Sequence, residues 1–197
     1  MKNDIMKNLI RESSQAILKE VDSFWSNPET IEVIERAAVL LSDSLKKGYK
    51  IISCGNGGSL CDATHFAEEL TGRYRKNRTS LPAISINDPA YITCVGNDFS
   101  FDEIYSRYVE GVGCEGDVLL AISTSGNSSN IVKAVESAHL KKMKVLALTS
   151  TGDNRLSALS DIVIAAPKVD FSDRVQEIHI QIIHILIQAI EKQLGFE

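Results

Sequence analysis

The chain has 197 residues, 44% of them hydrophobic and 24% charged, with a formal net charge of −5. That length suits one domain able to bury roughly 70% of its unfolded surface, and the acidic balance argues against broad nucleic-acid or anionic-membrane binding through bulk charge. No apolar run approaches the ~18 residues of a membrane span, and "MKNDIMKNLIRESSQ" has neither an apolar core nor a cleavage site, so no signal peptide is expected.

In chain order, residues 4–25 and 29–47 read as two amphipathic helices, broken at Ser26-Asn27-Pro28. In the second, Ile31, Ile34, Ala38, Leu41 and Leu45 recur at helical spacing. "KIISCGNGGS" (50–59) is a short apolar strand entering a Gly-rich loop, and 59–72 is a helix with Ser59 as N-cap and Gly72 as its stop. Strands are expected at 81–87, 116–124, 144–150 and 161–167. Helices are expected at 100–112, 129–142 and 155–160, and a long one from Ser172 to about Leu194. Continuous apolar strands alternating with helices are the signature of a parallel sheet covered on both faces. No linker interrupts the pattern, so one domain is expected. Cys54, Cys61, Cys94 and Cys114 form no C-x-x-C pair and are expected to be buried, reduced thiols of a cytosolic protein.

Two loops echo each other: "SCGNGGS" and "STSGNSS" both follow a strand and precede a helix. Such loops lie at the carboxyl edge of an open α/β sheet, where ligands bind. The second holds Ser123, Thr124, Ser125 and Ser128 around Gly126. A helix N-terminus offers unpaired N–H groups and partial positive charge, and small hydroxyls add donors without bulk. One serine would serve as a helix cap; four hydroxyls in six residues suit a phosphate monoester. There is no P-loop lysine motif and no G-x-G-x-x-G, which argues against a nucleoside triphosphate.

"HFAEEL" puts His65 and Glu69 one turn apart on one helix face, a pair able to bind a metal or to act as acid and base. The alternatives are a Glu69–Arg73 ion pair and a core histidine; Glu68 is expected on the surface, as is His139 beside Lys141 and Lys142. The last helix carries Gln176, His179 and His184 among apolar residues over much of its girth, so it is largely buried. Gln176 and His184 lie two turns apart and are able to reach one pocket, but spacing does not choose between His179 and His184.

"SCGNGGSLCDATHFAEELTGRY", "CVGNDF", "ISTSGNSSN" and "DRVQEIHIQIIHILI" together resemble the phosphoheptose isomerase family of the SIS (sugar isomerase) domain superfamily. The hydroxyl loop alone indicates only a SIS domain; "HFAEELTGRY" joined to "QEIHIQIIH" is far more specific. The resemblance covers nearly the whole chain. It implies a flavodoxin-like α/β fold with a five-stranded parallel sheet and flanking helices, so that 1–197 form a single SIS domain. Residues 1–48 would be N-terminal helices used in oligomerisation, and 49–197 the α/β core and C-terminal helix.

The resemblance further implies a cytoplasmic homotetramer with sites between subunits, a sugar phosphate substrate, and no nucleic-acid or membrane partner. The implied reaction converts D-sedoheptulose 7-phosphate to D-glycero-D-manno-heptose 7-phosphate through an enediol, on the route to ADP-heptose and lipopolysaccharide core. The matching positions make His65, Glu69, Gln176 and His184 the ligands of one Zn2+, with Glu69 and His184 as base and acid. Asn56, Gly57, Gly58, Glu69, Asn97, Asp98, Ser123, Thr124, Ser125, Ser128 and Gln176 would contact substrate. Leu60 departs from the pattern, standing where a polar residue such as His is frequent. Two alternatives compete. One is a non-enzymatic SIS protein that binds a replication-initiator partner; such proteins lack the acidic residue present here as Glu69. The other is a different SIS sugar-phosphate isomerase or sensing domain.

Overall fold

The computed structural model describes residues 2–196; Met1 and Glu197, the ends of the expected 1–197 domain, lie outside the described residues. Two helices come first, α1 (Lys2–Trp25) and α2 (Pro28–Lys46). Asn27 caps α2 by accepting from the Glu29 backbone N–H, and Pro28 stands where its missing N–H costs nothing. The α/β body follows as β1 (Ile51–Gly55), α3 (Gly58–Thr71), β2 (Ala83–Ser85), α4 (Pro89–Asp98), a 3-10 turn at Phe101–Glu103 and α5 (Ile104–Val112). It continues with β3 (Val118–Ile122), α6 (Ser129–Leu140), β4 (Lys144–Ser150), α7 (Arg155–Leu159), β5 (Ile162–Ala166) and α8 (Ser172–Gln193).

The five strands are parallel in the order β2-β1-β3-β4-β5, the order of the expected flavodoxin-like sheet. Successive strand residues point to opposite faces. Val118, Leu120 and Ile122 therefore pack with α2, α3 and α8, while Leu119 and Ala121 pack with α4, α5 and α6. Both faces are covered, which is why the strands read as unbroken apolar runs.

After β1 the chain turns to one side for β2, then returns to lay β3 on the other side of β1. This order makes the β1/β3 junction a switch point, with the carboxyl ends of two neighbouring strands opening into diverging loops. Those loops are the two Ser/Gly/Asn segments of the sequence. Asp117, 1% exposed, fixes the opposite end of the same strand pair. Its carboxylate accepts from the Lys50 backbone N–H at 3.0 Å, from the Cys114 N–H at 2.9 Å and from Lys50 Nζ at 2.5 Å.

Several expectations need correction. Helix α4 was not foreseen, because Val95 is its only buried residue and leaves no apolar stripe to read. Helix α3 is capped by Gly57, and Ser59 lies inside it, buried. Ile31 is 54% exposed, so the buried face of α2 runs through Ile34, Ala37, Ala38, Leu41 and Leu45 instead. All four cysteines are free thiols, but only Cys54 is buried; Cys61, Cys94 and Cys114 are exposed. Among the described residues, no helix is long and apolar enough to cross a membrane.

Replacing Asp117 by Asn turns a triple acceptor into a group that presents N–H toward other N–H donors. Asp117→Asn is expected to lower unfolding stability by about 2–4 kcal/mol, read as a shifted urea midpoint at unchanged slope.

Candidate active site

Three helices begin at one cavity of about 340 Å³ at the switch point. They are α3, α6 and α8, with N-caps Gly57, Ser128 and Phe171, and none of these makes a side-chain cap hydrogen bond. Their partial positive charges converge on the space between them, which suits an anion. Asn56, Gly57 and Gly58 line the β1 side; Ser123, Thr124 and Ser128 line the β3 side; Gln176 closes it from α8. Ser59 and Ser172 add two hydroxyls that the sequence reading did not assign to binding.

The hydroxyl loop is held rigidly. Ser123 N–H donates to the Leu148 carbonyl at 3.0 Å, and the Ser123 and Ser128 hydroxyls bond each other at 3.2 Å. Gly126 has φ +64°, and a Cβ there would lie 2.1 Å from Asn154 Oδ1, so only glycine makes this turn. Ser125 faces differently from its neighbours. Its hydroxyl accepts from the Asn127 N–H, and it lines an adjoining cavity of about 300 Å³ with Thr151, Asn154 and Lys168.

The two loops are joined by a residue the sequence reading missed. Asn130, 2% exposed, exchanges reciprocal amide hydrogen bonds of 2.9 Å with Asn56 and also accepts from the Ile131 N–H. The echo between the loops was the only sequence signal that they meet; no local pattern marks Asn130.

Two turns along α3 lies the second half of the site. His65 Nε2 is 3.0 Å from His184 Nε2 and 3.6 Å from Glu69 Oε1. Glu68 is exposed, as expected, yet its Oε2 stands 4.0 Å from His65 Nδ1, which places it in the same cluster. The Tyr74 ring lies 5.9 Å from that of His184. Burial, with His65 and Arg75 adding and Glu69 opposing, holds the His184 pKa below the usual imidazole range. The ring is therefore neutral near pH 7, the form a metal requires.

The ligand atoms of His65, Glu68 and Glu69 lie within 4.8 Å of one another, a cluster able to hold a metal ion, and His184 Nε2 stands 3.0 Å from His65 Nε2 beside it. Gln176 meets α3 one segment earlier: a Cβ on Gly58 would lie 2.6 Å from its carboxamide. His179 is fully buried and uses Nε2 on the Thr149 carbonyl at 3.0 Å, whereas His184 is the histidine of α8 that stands beside His65. Asn97 and Asp98 stand apart, exposed on α4 and hydrogen-bonded to each other at 2.8 Å. His139 is exposed, as expected, with Nε2 at 2.8 Å from the Leu159 carbonyl.

A SIS domain model matches residues 9–150. The chain is 55% identical to the phosphoheptose isomerase of Shigella dysenteriae serotype 1 over 194 residues, 98% of this chain and 99% of that protein. The Enterobacter sp. strain 638 phosphoheptose isomerase is 56% identical over the same shares of both proteins. Among solved structures, the Neisseria gonorrhoeae phosphoheptose isomerase superposes with a TM-score of 0.88 at 34% identity, covering 95% of this chain and 99% of that one.

Two outcomes follow from the geometry. Asn130→Ala frees Asn56 and loosens one wall of the anion cavity, so KM for a phosphorylated substrate is expected to rise about tenfold, the effect of losing a net hydrogen bond or two, in steady-state kinetics. Asp62 carries a buried, unpartnered Oδ2, and burial pushes its pKa up to about 6 despite the charge of His65. A raised native pKa means the folded state holds the extra proton, so this group's contribution to stability falls as pH rises from about 4 to about 6. In metal-stripped protein, Asp62→Asn is expected to remove that fall, seen as a flatter Tm against pH over the same window.

Proposed function

The chain belongs to the phosphoheptose isomerase family of SIS-domain proteins, and we propose that its site performs aldose–ketose exchange by proton transfer between C1 and C2 of an open-chain heptose 7-phosphate. The substrate pair is D-sedoheptulose 7-phosphate and D-glycero-D-manno-heptose 7-phosphate, and the product feeds lipopolysaccharide precursor synthesis. One observation carries this reading. The anion cavity and the His65–Glu69–His184 cluster lie on the same helix pair, separated along α3 by Gly58 to His65. Seven residues at 1.5 Å each is about 10 Å, which suits the reach of an extended sugar from its 7-phosphate to its reacting carbons.

The phosphate sits among the N-termini of α3, α6 and α8, where Ser123, Thr124 and Ser128 donate to it. This remote anchoring supplies binding energy that orients C1 and C2 at the far end. Glu69 takes a proton from C1 of the ketose, and His184, first protonated by solvent, gives that proton to O2, forming the enediol. Glu69 returns its proton to C2, and His184 recovers one from O1, leaving the aldose and both residues as they began. His65, Glu69, Gln176 and His184 would hold the zinc. Zinc held there would supply a Lewis acid for the substrate carbonyl. Gln176 also lines the phosphate cavity, with its carboxamide against Gly58.

Assembly as a homotetramer through residues 1–48 is part of the proposal. It is supported by Ile5, Met6, Leu9, Ile10 and Leu18 of α1, large apolar side chains that are each more than half exposed in the single chain. Asn97 and Asp98, which do not line this cavity, are part of the proposed substrate contacts. A cytoplasmic location fits the four free thiols.

Conversion of sedoheptulose 7-phosphate, followed by NMR, tests the proposal. Turnover is expected to fall on chelation and return with zinc. Glu69→Gln is expected to keep the wild-type Tm while losing about 10²–10⁴-fold in kcat, the usual contribution of a positioned base. Turnover indifferent to chelator removes the zinc from the chemistry; substantial activity in the variant removes Glu69 as base; no turnover by the folded wild type overturns the reading.

A further inference from the structure

The two helices that carry the cluster are joined by a buried ion pair. Arg78, in the segment after α3, and Glu191, near the end of α8, have side chains only 1% and 3% exposed. Arg78 Nε donates to Glu191 Oε1 at 2.6 Å. Its Nη2 donates to the backbone carbonyl of Glu69 at 2.6 Å, and its Nη1 to the carbonyls of Leu70 at 2.8 Å and Thr79 at 3.0 Å. The guanidinium thus grips carbonyls that α3, ending at Thr71, leaves without helical partners, and one of them belongs to the residue whose carboxylate faces His65. Glu191 lies seven residues beyond His184, two turns along the same face of α8. The pair therefore links the backbone of Glu69 directly to the helix face that presents His184.

We infer that Arg78 and Glu191 are positioning residues for the metal cluster, setting how far Glu69 and His65 on α3 stand from His184 on α8. Stability alone does not require such a pair, since well-packed apolar residues of similar size commonly replace a buried ion pair at no cost. What apolar residues do not reproduce is the directional fork that fixes the rotation and height of the last turn of α3. The site has little tolerance for drift: its imidazole nitrogens are 3.0 Å apart, and groups that orient metal ligands typically change affinity by about 10–100-fold when removed.

The inference rests on the zinc reading, and the experiment separates the two. The double variant Arg78→Met/Glu191→Leu and the single variant Arg78→Lys, which keeps the charge pair but loses the fork, are compared with wild type. Zinc affinity is read by competition with a chromophoric chelator, beside Tm, kcat and KM, and the 15N signals of the His65 and His184 side chains. Both variants are expected to fold with near-wild-type Tm, to bind zinc at least tenfold more weakly and to lose kcat. KM is expected to change little, because the phosphate cavity lies at the other end of the helices. Wild-type zinc affinity and kcat in either folded variant overturn the inference. If the wild type itself shows no saturable zinc site, the metal reading fails and the ring signals decide. Loss of the His65–His184 hydrogen bond in the variants upholds the positioning role, and its persistence overturns it. Should the double variant not fold, the same measurements on Arg78→Lys uphold or overturn the positioning role by the same outcomes.

Discussion

Helices α3 and α8 begin so close together that a Cβ on Gly58 would lie 2.6 Å from the carboxamide of Gln176. Glycine at that position lets two helix N-termini open onto the same space, and the rest of the site is a consequence. Side by side from that point, the helices bring His65 against His184 two turns later, and the Arg78–Glu191 pair ties the segment after α3 to the last turns of α8. A larger residue at 58 would push the Gln176 carboxamide, the movable end of a flexible side chain, out of the cavity wall. The sheet contributes the third wall, because pairing β1 directly with β3 puts the hydroxyl loop beside the glycine loop, where Asn56 and Asn130 bond.

This arrangement separates binding from chemistry by electrostatics. The chain is acidic overall, yet the cavity collects the positive ends of three helix dipoles without a lysine or arginine among its lining residues. Backbone and hydroxyl donors suit a phosphate without placing a mobile cation beside it. At the far end, burial and neighbouring positive charge keep His184 neutral, so it can ligate a metal or, once protonated by solvent, hand a proton to a carbonyl oxygen.

The sheet was legible because both its faces are covered: the strands at 118–122 and 144–150 are unbroken apolar runs between glycine-rich or hydroxyl-rich loops. Helix α4 was illegible for the opposite reason. Asp88 caps it and Pro89 starts it, both readable start signals, but a helix with one buried residue shows no period. At the site, His65 and Glu69 were readable as a local i, i+4 pair. The bonds that hold the site in shape were not. Asn56 and Asn130 are 74 residues apart and Arg78 and Glu191 are 113 apart, and no local pattern encodes a contact made by topology. Ser59 shows a subtler limit. Serine is the better cap by propensity, but Gly57 alone adopts the φ of +56° that turns the chain into α3, so the serine moves inside the helix and onto the cavity wall.

The two histidines of α8 show what spacing leaves undecided and packing settles. His179 and His184 are five residues apart, so they leave the helix about 140° from one another. One direction leads into the sheet and the other toward α3. His179 is fully buried, bonds the Thr149 carbonyl at the end of β4, and is pushed by burial to a pKa of about 4, so it never carries charge at working pH. It acts as a bolt between helix and sheet, and a charged or mobile ring there would unseat α8. His184 has the same chemistry in a different place, half-exposed beside His65 and Tyr74, where a proton or a metal can reach it.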